Sequence, residues 1–570
     1  MTSWTEMPRA WWKESSVYQI YPASFQDLTG SGVGDLKGII SRVNYLKELG
    51  VDIVWLSPIF KSPQFDMGYD ISDYKTIDPR YGDLKDVDKL RDELHQRGMR
   101  LVLDLVMNHT SDQHDWFKNS RKSKDNPFRD WYIWRPPRFD AQGNRQPPNN
   151  WESHFQGSAW EFDEATGEYY LHLFCKEQPD LNWENPAVRE AAHDVMRFWL
   201  DRGADGFRID VINFISKDQR FPDSDQPVLR GHEFYASGPR LHEYLAELGK
   251  ILKKYDAFSV GEMPCVQDEN EIIKAVGADR GELSMIFHFE LVDIDHGPLG
   301  KFSPQTWQLS RLKETVNKWQ RFMIDRNGWN ALYLENHDQP RAVSRFANDD
   351  AVHRVASAKM LAIFQGFQSG TPFIYQGQEI GMTNVPRDWP MEEYNDIDCL
   401  NHWRLYKDSA DEETLTRLRA EYQKKSRDNA RTPMQWDDSP HAGFTSSSRP
   451  WMRVNDNYLD INAAAQTSDP SSVYGTWRRV LEQRKGLKDI FVYGDFGLVD
   501  EPHDKIFAYR RQAADGQAAL VVANFSADTI DWPWKGTARD VLMSTTGKTE
   551  ADVKEGEMRL EPYEALVLLV

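Results

Sequence analysis

Three short stretches of this sequence each end an apolar run in an acid. In Gly206-Phe207-Arg208-Ile209-Asp210-Val211 a strand-like run gives out in Arg208 and, two residues on, Asp210. Alternate residues of a strand face one way, so the arginine and the aspartate project together. Phe258-Ser259-Val260-Gly261-Glu262 and Tyr333-Leu334-Glu335-Asn336-His337-Asp338 repeat the design. Singly, each has a plain structural reading: an ion pair with Arg208 for Asp210, a loop position for Glu262, a helix cap for Asp338. Together, three strand-end carboxylates from separate parts of the chain point to one site at the mouth of a barrel. Such a set suits glycoside hydrolysis, in which one carboxylate attacks, another gives and takes a proton, and further polar groups steady an oxocarbenium-like charge. His109 closes Asp104-Leu105-Val106-Met107-Asn108-His109 in the same manner, and a hydrogen bond to substrate is expected there. Asp66 and Tyr69, in Asp66-Met67-Gly68-Tyr69-Asp70, lie beyond another run and by position alone are loop residues.

The elements that must position these residues are legible as eight β-rich runs, at 17–21, 51–56, 101–106, 206–211, 258–261, 285–289, 331–334 and 372–375. Amphipathic helical stretches such as 36–49 and 86–98 separate them. Strands alternating with helices imply crossover connections and a parallel sheet, and eight of them an α/β fold, the (β/α)8 TIM barrel. An open doubly wound sheet would carry a glycine-rich phosphate turn after its first strand, and Tyr21-Pro22-Ala23-Ser24 is not one. About a hundred residues rich in Trp, Asn and Pro part the third run from the fourth, so an inserted subdomain beside the site is expected. A second excursion, 378–451, follows the eighth. Beyond about 492 helical periodicity stops, which predicts a C-terminal antiparallel β-sandwich domain. The expected division is a barrel of 1–110 and 183–491, an insertion of 111–182, and a C-terminal domain of 492–570.

Bulk properties narrow the partners. A chain of 570 residues exceeds one core. A net charge of −20 argues against nucleic acid and anionic membranes and leaves neutral small molecules, such as oligosaccharides, open. The 21 tryptophans offer flat faces of the kind that suit sugar C–H surfaces. Cys175, Cys265 and Cys399 form neither a disulfide framework nor a zinc motif. Residues 1–12 contain no apolar signal core, and no apolar run is long enough to span a bilayer. A cytoplasmic monomer or homodimer is expected.

Taken together the motifs resemble glycoside hydrolase family 13, the α-amylase family, through 104–109, 206–210, Gly261-Glu262 and Asn336-His337-Asp338. The likeness covers nearly the whole chain. It is greatest to the branch of oligo-1,6-glucosidases and yeast-type maltases and isomaltases. Ser62-Pro63-Gln64-Phe65-Asp66-Met67-Gly68-Tyr69-Asp70, Asp180-Leu181-Asn182-Trp183 and Arg431-Thr432-Pro433-Met434-Gln435-Trp436 carry that part. The resemblance implies Asp210 as nucleophile, Glu262 as general acid/base and Asp338 as transition-state stabiliser. Arg208 would orient Asp210 and hold it ionised. Asp66, Tyr69, His109, His337 and Arg427 would hold the non-reducing glucose in a closed pocket. Phe155, Phe174, Gln178 and Arg431 would line the rim or the next subsite. The implied activity is that of a retaining, exo-acting α-glucosidase with no cofactor needed for the chemistry.

In that branch a valine after the nucleophile accompanies α-1,6 cleavage, and threonine, alanine or glycine accompanies α-1,4. Val211 therefore leans towards isomaltose-type substrates, while Met263-Pro264-Cys265 stands where yeast isomaltases place a glutamine and a histidine. An α-1,4 maltase and a transglucosylating enzyme are the alternatives. The branch often binds calcium through a loop that here reads Asp27, Thr29, Ser31, Val33 and Asp35. With Thr29 and Ser31 where Asn and Asp are usual, a weak calcium site, a magnesium site or a bare glycine-rich turn is expected. Sucrose isomerases of the family carry an arginine-rich loop after the sixth strand, and 291–298 has no arginine. Amino-acid-transporter heavy chains resemble the family too, but as membrane-anchored partners with incomplete catalytic residues. This chain keeps Asp210, Glu262 and Asp338 and lacks the span.

Overall fold

The eight runs fold as parallel strands β1 (Val17–Ile20), β2 (Ile53–Leu56), β3 (Arg100–Val106), β4 (Gly206–Asp210), β5 (Phe258–Glu262), β6 (Met285–Phe287), β7 (Ala331–Leu332) and β8 (Thr371–Tyr375). The computed structural model describes residues 8–266, 268–553 and 556–570; residues 1–7 of the N-terminal stretch read for a signal segment lie outside them. Hydrogen bonding runs in the order β6-β5-β4-β3-β2-β1-β8-β7, and a parallel bridge between Ile286 and Asn330 joins β6 to β7. The sheet thus closes into a barrel. Its lumen is filled by every second residue: Val17, Ile53, Trp55, Val102, Phe258, Val260, Met285, Phe287, Ala331, Tyr333 and Phe373 form one buried cluster.

Register carries this alternation upward. Arg208 lies opposite Asp104 on one side and Val260 on the other. Asp104, Arg208, Asp210 and Glu262 are therefore the inward residues at the C-terminal ends of three adjacent strands. Helices cover the outside. Asp83 and Asp86 form a capping box that starts helix Leu84–Gln96, which buries Val87, Leu90 and Leu94 on one face. The predicted single helix over 36–49 is instead two, Leu36–Ser41 and Val43–Leu49, meeting at Arg42. Arg42 leaves helical geometry (φ −105°, ψ 5°), bonds Gln26 and lies over the Trp436 ring. Gly50, at φ 97°, ends the second helix where a side chain would be strained. β7 is also shorter than its run, with Tyr333 and Leu334 beyond it.

Between β3 and β4 a small antiparallel sheet (Trp134–Arg135, Glu168–Leu171, Trp160–Asp163) stands beside the barrel mouth. A bridge from His109 to Asp180 ties it to the end of β3, and one from Tyr132 to Leu181 closes the insertion on itself. The excursion after β8 supplies helices Ile397–Tyr406, Glu412–Lys425 and Asp428–Arg431. The last part of the chain forms β9 (Asp495–Val499), β10 (Ile506–Gln512), β11 (Ala518–Asn524), β12 (Ile530–Trp532), β13 (Asp540–Ser544), β14 (Met558–Leu560) and β15 (Ala565–Leu569). Five of them make an antiparallel sheet, β9-β10-β11-β15-β13, and β12 pairs with β14. Ile506, Val522, Leu566 and Leu568 pack on Trp532, Met558 and Leu560, the interior of a sandwich. Phe507, Tyr509, Val521 and Val567 alternate onto the other face and join the main core.

Candidate active site

Arg208 is the hub. Wholly buried, it places Nη1 3.0 Å from Asp104 Oδ1 and 2.6 Å from Asp210 Oδ1, and Nη2 2.7 Å from Glu262 Oε2. Three carboxyls around one guanidinium cannot all stay ionised out of water, so protons must be retained. Burial pushes Glu262 up to about 8 against the pull of Arg208, with the charges of Asp210 and Asp338 adding to the rise. Burial also lifts Asp210 to about 6, against Arg208 and with Asp104, and a hydrogen bond from Glu262 favours its ionised form. Around neutrality the pair accordingly holds one proton, on Glu262. Two titratable groups pushed apart in this way divide acid and nucleophile roles.

A second cluster faces the first across the barrel mouth. Arg427, carried by the excursion after β8, is anchored through Nε to Asp396 Oδ1 at 2.7 Å. Its Nη2 reaches Asp66 at 3.3 Å and its Nη1 Asp338 at 3.5 Å, and its guanidinium lies over the Phe155 ring. Arg431 Nη2 meets Asp338 Oδ1 at 2.7 Å while its Nε donates to the His337 carbonyl at 3.0 Å. Against burial, His337, Arg427, Arg431 and Arg208 hold Asp338 well below the usual carboxylate range, so it is ionised. Burial keeps His337 down at about 3, a neutral imidazole. With the Gln19 amide nitrogen donating to Nδ1 at 2.8 Å, the ring proton sits on Nε2, 2.5 Å from Tyr69 Oη. Tyr69 in turn donates to Asp104 at 3.0 Å. The chain Gln19–His337–Tyr69–Asp104 thereby joins four strand ends or their loops.

Asp66, Tyr69, His109, Phe155, Phe174, Asp210, Val211, Glu262, Asp338 and Arg427 line one cavity of about 700 Å³. Arg208, Gln178, His337 and Arg431 do not reach it. Gln178 and Arg431, expected at the rim or the next subsite, are buried behind the lining residues. Gln178 Nε2 is 3.2 Å from Asp66 and 3.3 Å from His109 Nε2, and Arg431 turns Nη2 to Asp338 and Nε to the His337 carbonyl. No tryptophan lines the cavity among the described residues; its aromatic wall is Tyr69, Phe155, Phe174, Phe289, Phe302 and Tyr406. The barrel and its helices bury the large indoles instead, Trp55, Trp183, Trp199, Trp329 and Trp477 among them.

Several functional partners escaped sequence reading. Asp104 lay in a quoted motif, and a charge inside an apolar strand was its signal. Gln19 alternates with Val17 on β1 and was readable the same way. Asp396, in the long excursion, had no periodic signal at all.

The loop read as a possible cation site is folded as a hydrogen-bonded turn. Asp27 accepts hydrogen bonds from the Gly30, Ser31 and Gly32 amides and from the Thr29 and Thr445 hydroxyls. Asp35 accepts from the Leu28 and Thr29 amides, shares the single Thr29 hydroxyl proton with Asp27, and caps helix Leu36–Ser41 through Gly38. The Ser31 hydroxyl donates to the Val33 carbonyl. Backbone amides and hydroxyls thus point at both carboxylates.

Known proteins match this architecture over its whole length. The model of the α-amylase catalytic domain matches residues 19–494, and that of a domain of unknown function, DUF3459, matches 499–567. An α-glucosidase of Schizosaccharomyces pombe is 52% identical over 568 residues, 98% of each chain. An oligo-1,6-glucosidase of Parageobacillus thermoglucosidasius is 51% identical, over 98% of this chain and 99% of its own. The crystal structure of a Bacillus licheniformis trehalose-6-phosphate hydrolase superposes with a TM-score of 0.92 at 43% identity, covering 98% of this chain and 100% of its own. An eight-stranded barrel with strand-end acids around a buried arginine, matched end to end by such relatives, is a glycoside hydrolase, and the chain belongs to the α-amylase family.

Proposed function

We propose that this chain is a retaining, exo-acting α-glucosidase that releases glucose from the non-reducing end of short α-glucosides and prefers α-1,6 linkages. The observation that carries this reading is the shared guanidinium of Arg208, which sets an ionised Asp210 beside a protonated Glu262 at the cavity floor. Asp210 attacks C1 while Glu262 gives its proton to the glycosidic oxygen and the aglycone departs. The bond between C1 and Asp210 then breaks as water attacks and Glu262 takes the water's proton. A sugar hydroxyl in place of water gives transglucosylation. Asp338, kept ionised by its arginines, steadies the charge at C1 and, with Asp66, Arg427 and His109, grips glucose hydroxyls. The relatives named oligo-1,6-glucosidase and Val211 beside the nucleophile favour the α-1,6 bond.

This reading takes the chain as a barrel of 1–110 and 183–491, an insertion of 111–182 and a C-terminal domain of 492–570. The hydrogen-bonded Asp27–Asp35 loop supports an enzyme that needs no cation there. No helix among the described residues is long and apolar enough to cross a membrane. Three cysteines with no disulfide spacing support a reducing, cytoplasmic location, where the chain would act as a monomer or homodimer.

A phosphorylated disaccharide, suggested by the trehalose-6-phosphate hydrolases, would require an uncommitted cation at the cavity. Among the described residues each lysine and arginine lining it is paired: Lys301 with Asp398 at 2.6 Å, Lys425 with Asp295 at 2.7 Å, Arg417 with Glu421 at 3.1 Å, Arg427 with Asp396. The test is kcat/KM for isomaltose, maltose and trehalose 6-phosphate in one buffer. Isomaltose should lead; a clear lead for either of the others would overturn the assigned preference.

A further inference from the structure

A second cavity, of about 550 Å³, lies beside the catalytic one. Three separate parts of the chain build it: residues 304–306 of the loop after β6, helix Ala342–Phe346 with the turn that follows it, and the excursion after β8. Its boundary with the catalytic cavity is Lys425, which lines both. Its size falls within the range of small-molecule sites.

The charges around this second cavity do not balance. Arg345, Arg387, Lys424 and Lys425 line it against two carboxylates, Asp295 and Asp349. Asp295 alone serves two buried cations: Arg345 Nε reaches its Oδ2 at 3.0 Å and Lys425 Nζ its Oδ1 at 2.7 Å. One carboxylate between two cations leaves a buried positive charge uncompensated. Burial and the charge of Arg345 accordingly push the Lys425 ammonium down to about 7. Arg387 and Lys424 are exposed, and neither has an ion pair or a side-chain hydrogen bond among the described residues. On a chain of net charge −20, a recess with excess positive charge is where a small anion is drawn. Other groups of the lining suit hydroxyls. The Asp349 carboxylate and the Thr306 hydroxyl have no partner among the described residues, and Gln305 gives its amide nitrogen to the His296 carbonyl at 2.9 Å, which leaves Oε1 as an acceptor.

We propose that this cavity is a separate binding site for a monosaccharide phosphate, with the phosphate on Arg387 and Lys424 and the sugar hydroxyls on Asp349, Thr306 and Gln305. A phosphate monoester carries close to two negative charges at neutral pH, which matches the excess of basic over acidic groups in the lining. Arginine and lysine side by side supply the planar fork and the point charge that phosphate oxygens accept. The site takes no part in bond breaking and does not depend on the linkage preference assigned above. Its occupant abuts Lys425, two residues before the Arg427 that reaches Asp66 and Asp338.

The experiment is titration calorimetry of the full chain with glucose 6-phosphate, with inorganic phosphate as comparison. Glucose 6-phosphate should saturate a site that the double variant Arg387→Gln/Lys424→Gln weakens about a hundredfold at low salt, and less as salt rises. Both positions are exposed and unpaired, so the variant should keep the wild-type Tm and the wild-type rate on isomaltose. Inorganic phosphate, without the hydroxyl contacts, should bind about tenfold or more weakly than the sugar phosphate. Absence of saturable binding would overturn the proposal. So would binding that the folded double variant leaves unchanged, which would place the ligand in the catalytic cavity. Equal affinity for inorganic phosphate would overturn the sugar phosphate in favour of a bare anion site. The isomaltose assay tests the α-glucosidase reading separately, and it stands or falls without these results.

Discussion

The backbone N–H of Val211 donates to Glu262 Oε2 at 3.3 Å, so the residue that follows one acid of the pair holds the other. It does so from a left-handed conformation, φ 33° and ψ 45°, that a β-branched residue rarely adopts and that costs about 1–2 kcal/mol. The turn is kept because the Val211 side chain is buried in a cluster with Phe214, Phe174 and Cys265. Strain at this position buttresses the arrangement of Asp210 and Glu262.

Val211 also lines the cavity, and under the proposed function its methyls border the sugar that follows the first glucose. A methyl-sized change in such a pocket is worth about 1–3 kcal/mol of discrimination. Val211→Gly should lower the isomaltose-to-maltose ratio of kcat/KM by about tenfold or more. An unchanged ratio in a folded variant would place linkage selection elsewhere on the wall.

The activity profile should be bell-shaped. Below about 6 Asp210 gains a proton and loses its nucleophilicity. Above about 8 Glu262 loses the proton it must deliver. The two limbs belong to the coupled pair rather than to either residue alone. Glu262→Gln should cut kcat/KM for isomaltose by about 10²–10⁴-fold and remove the alkaline limb. An alkaline limb that survives in this variant would contradict the assignment.

Asp104 positions rather than reacts. Its charge helps raise Asp210, so Asp104→Asn should move the acid limb of kcat/KM to lower pH. Taking one carboxylate from the buried Arg208 should also cost about 3 kcal/mol of stability, read as a lower Tm. A purely structural residue would lower Tm and leave the limb where it was.

Much of this was legible in the chain. The strands of the barrel each appear as a β-rich run between amphipathic helices, and the acids Asp210 and Glu262 stand where those runs stop. Asp338 lies beyond the end of β7 but on the same mouth, so strand-end logic found it too. What the sequence hid depends on distant partners. Asp396 matters only because the chain brings Arg427 back across the barrel mouth. The inward aim of Arg431 follows from Asp338 and the His337 carbonyl, 93 and 94 residues away, which made it look like a rim residue. The left-handed turn at Val211 contradicts its own residue preference, and tertiary packing overrides that preference. The Asp27–Asp35 loop has the outline of a cation site, but Thr29 and, from 418 residues on, Thr445 supply the protons that close it.

That loop gives a further expectation. A chelator should leave Tm and activity unchanged, because hydrogen bonds occupy the carboxylates. Asp27→Ala, which strands several donors, should cost about 2–3 kcal/mol, and added calcium should not restore it. A fall in Tm on chelation that calcium reverses would contradict the hydrogen-bonded reading.

The most direct test of the account is the anomer of glucose first released from an aryl α-glucoside, followed by proton NMR before mutarotation. Attack by Asp210 and then by water inverts C1 twice, so α-glucose should appear first, and Asp210→Asn should release none. First appearance of β-glucose would mean a single displacement by water and would contradict Asp210 as nucleophile.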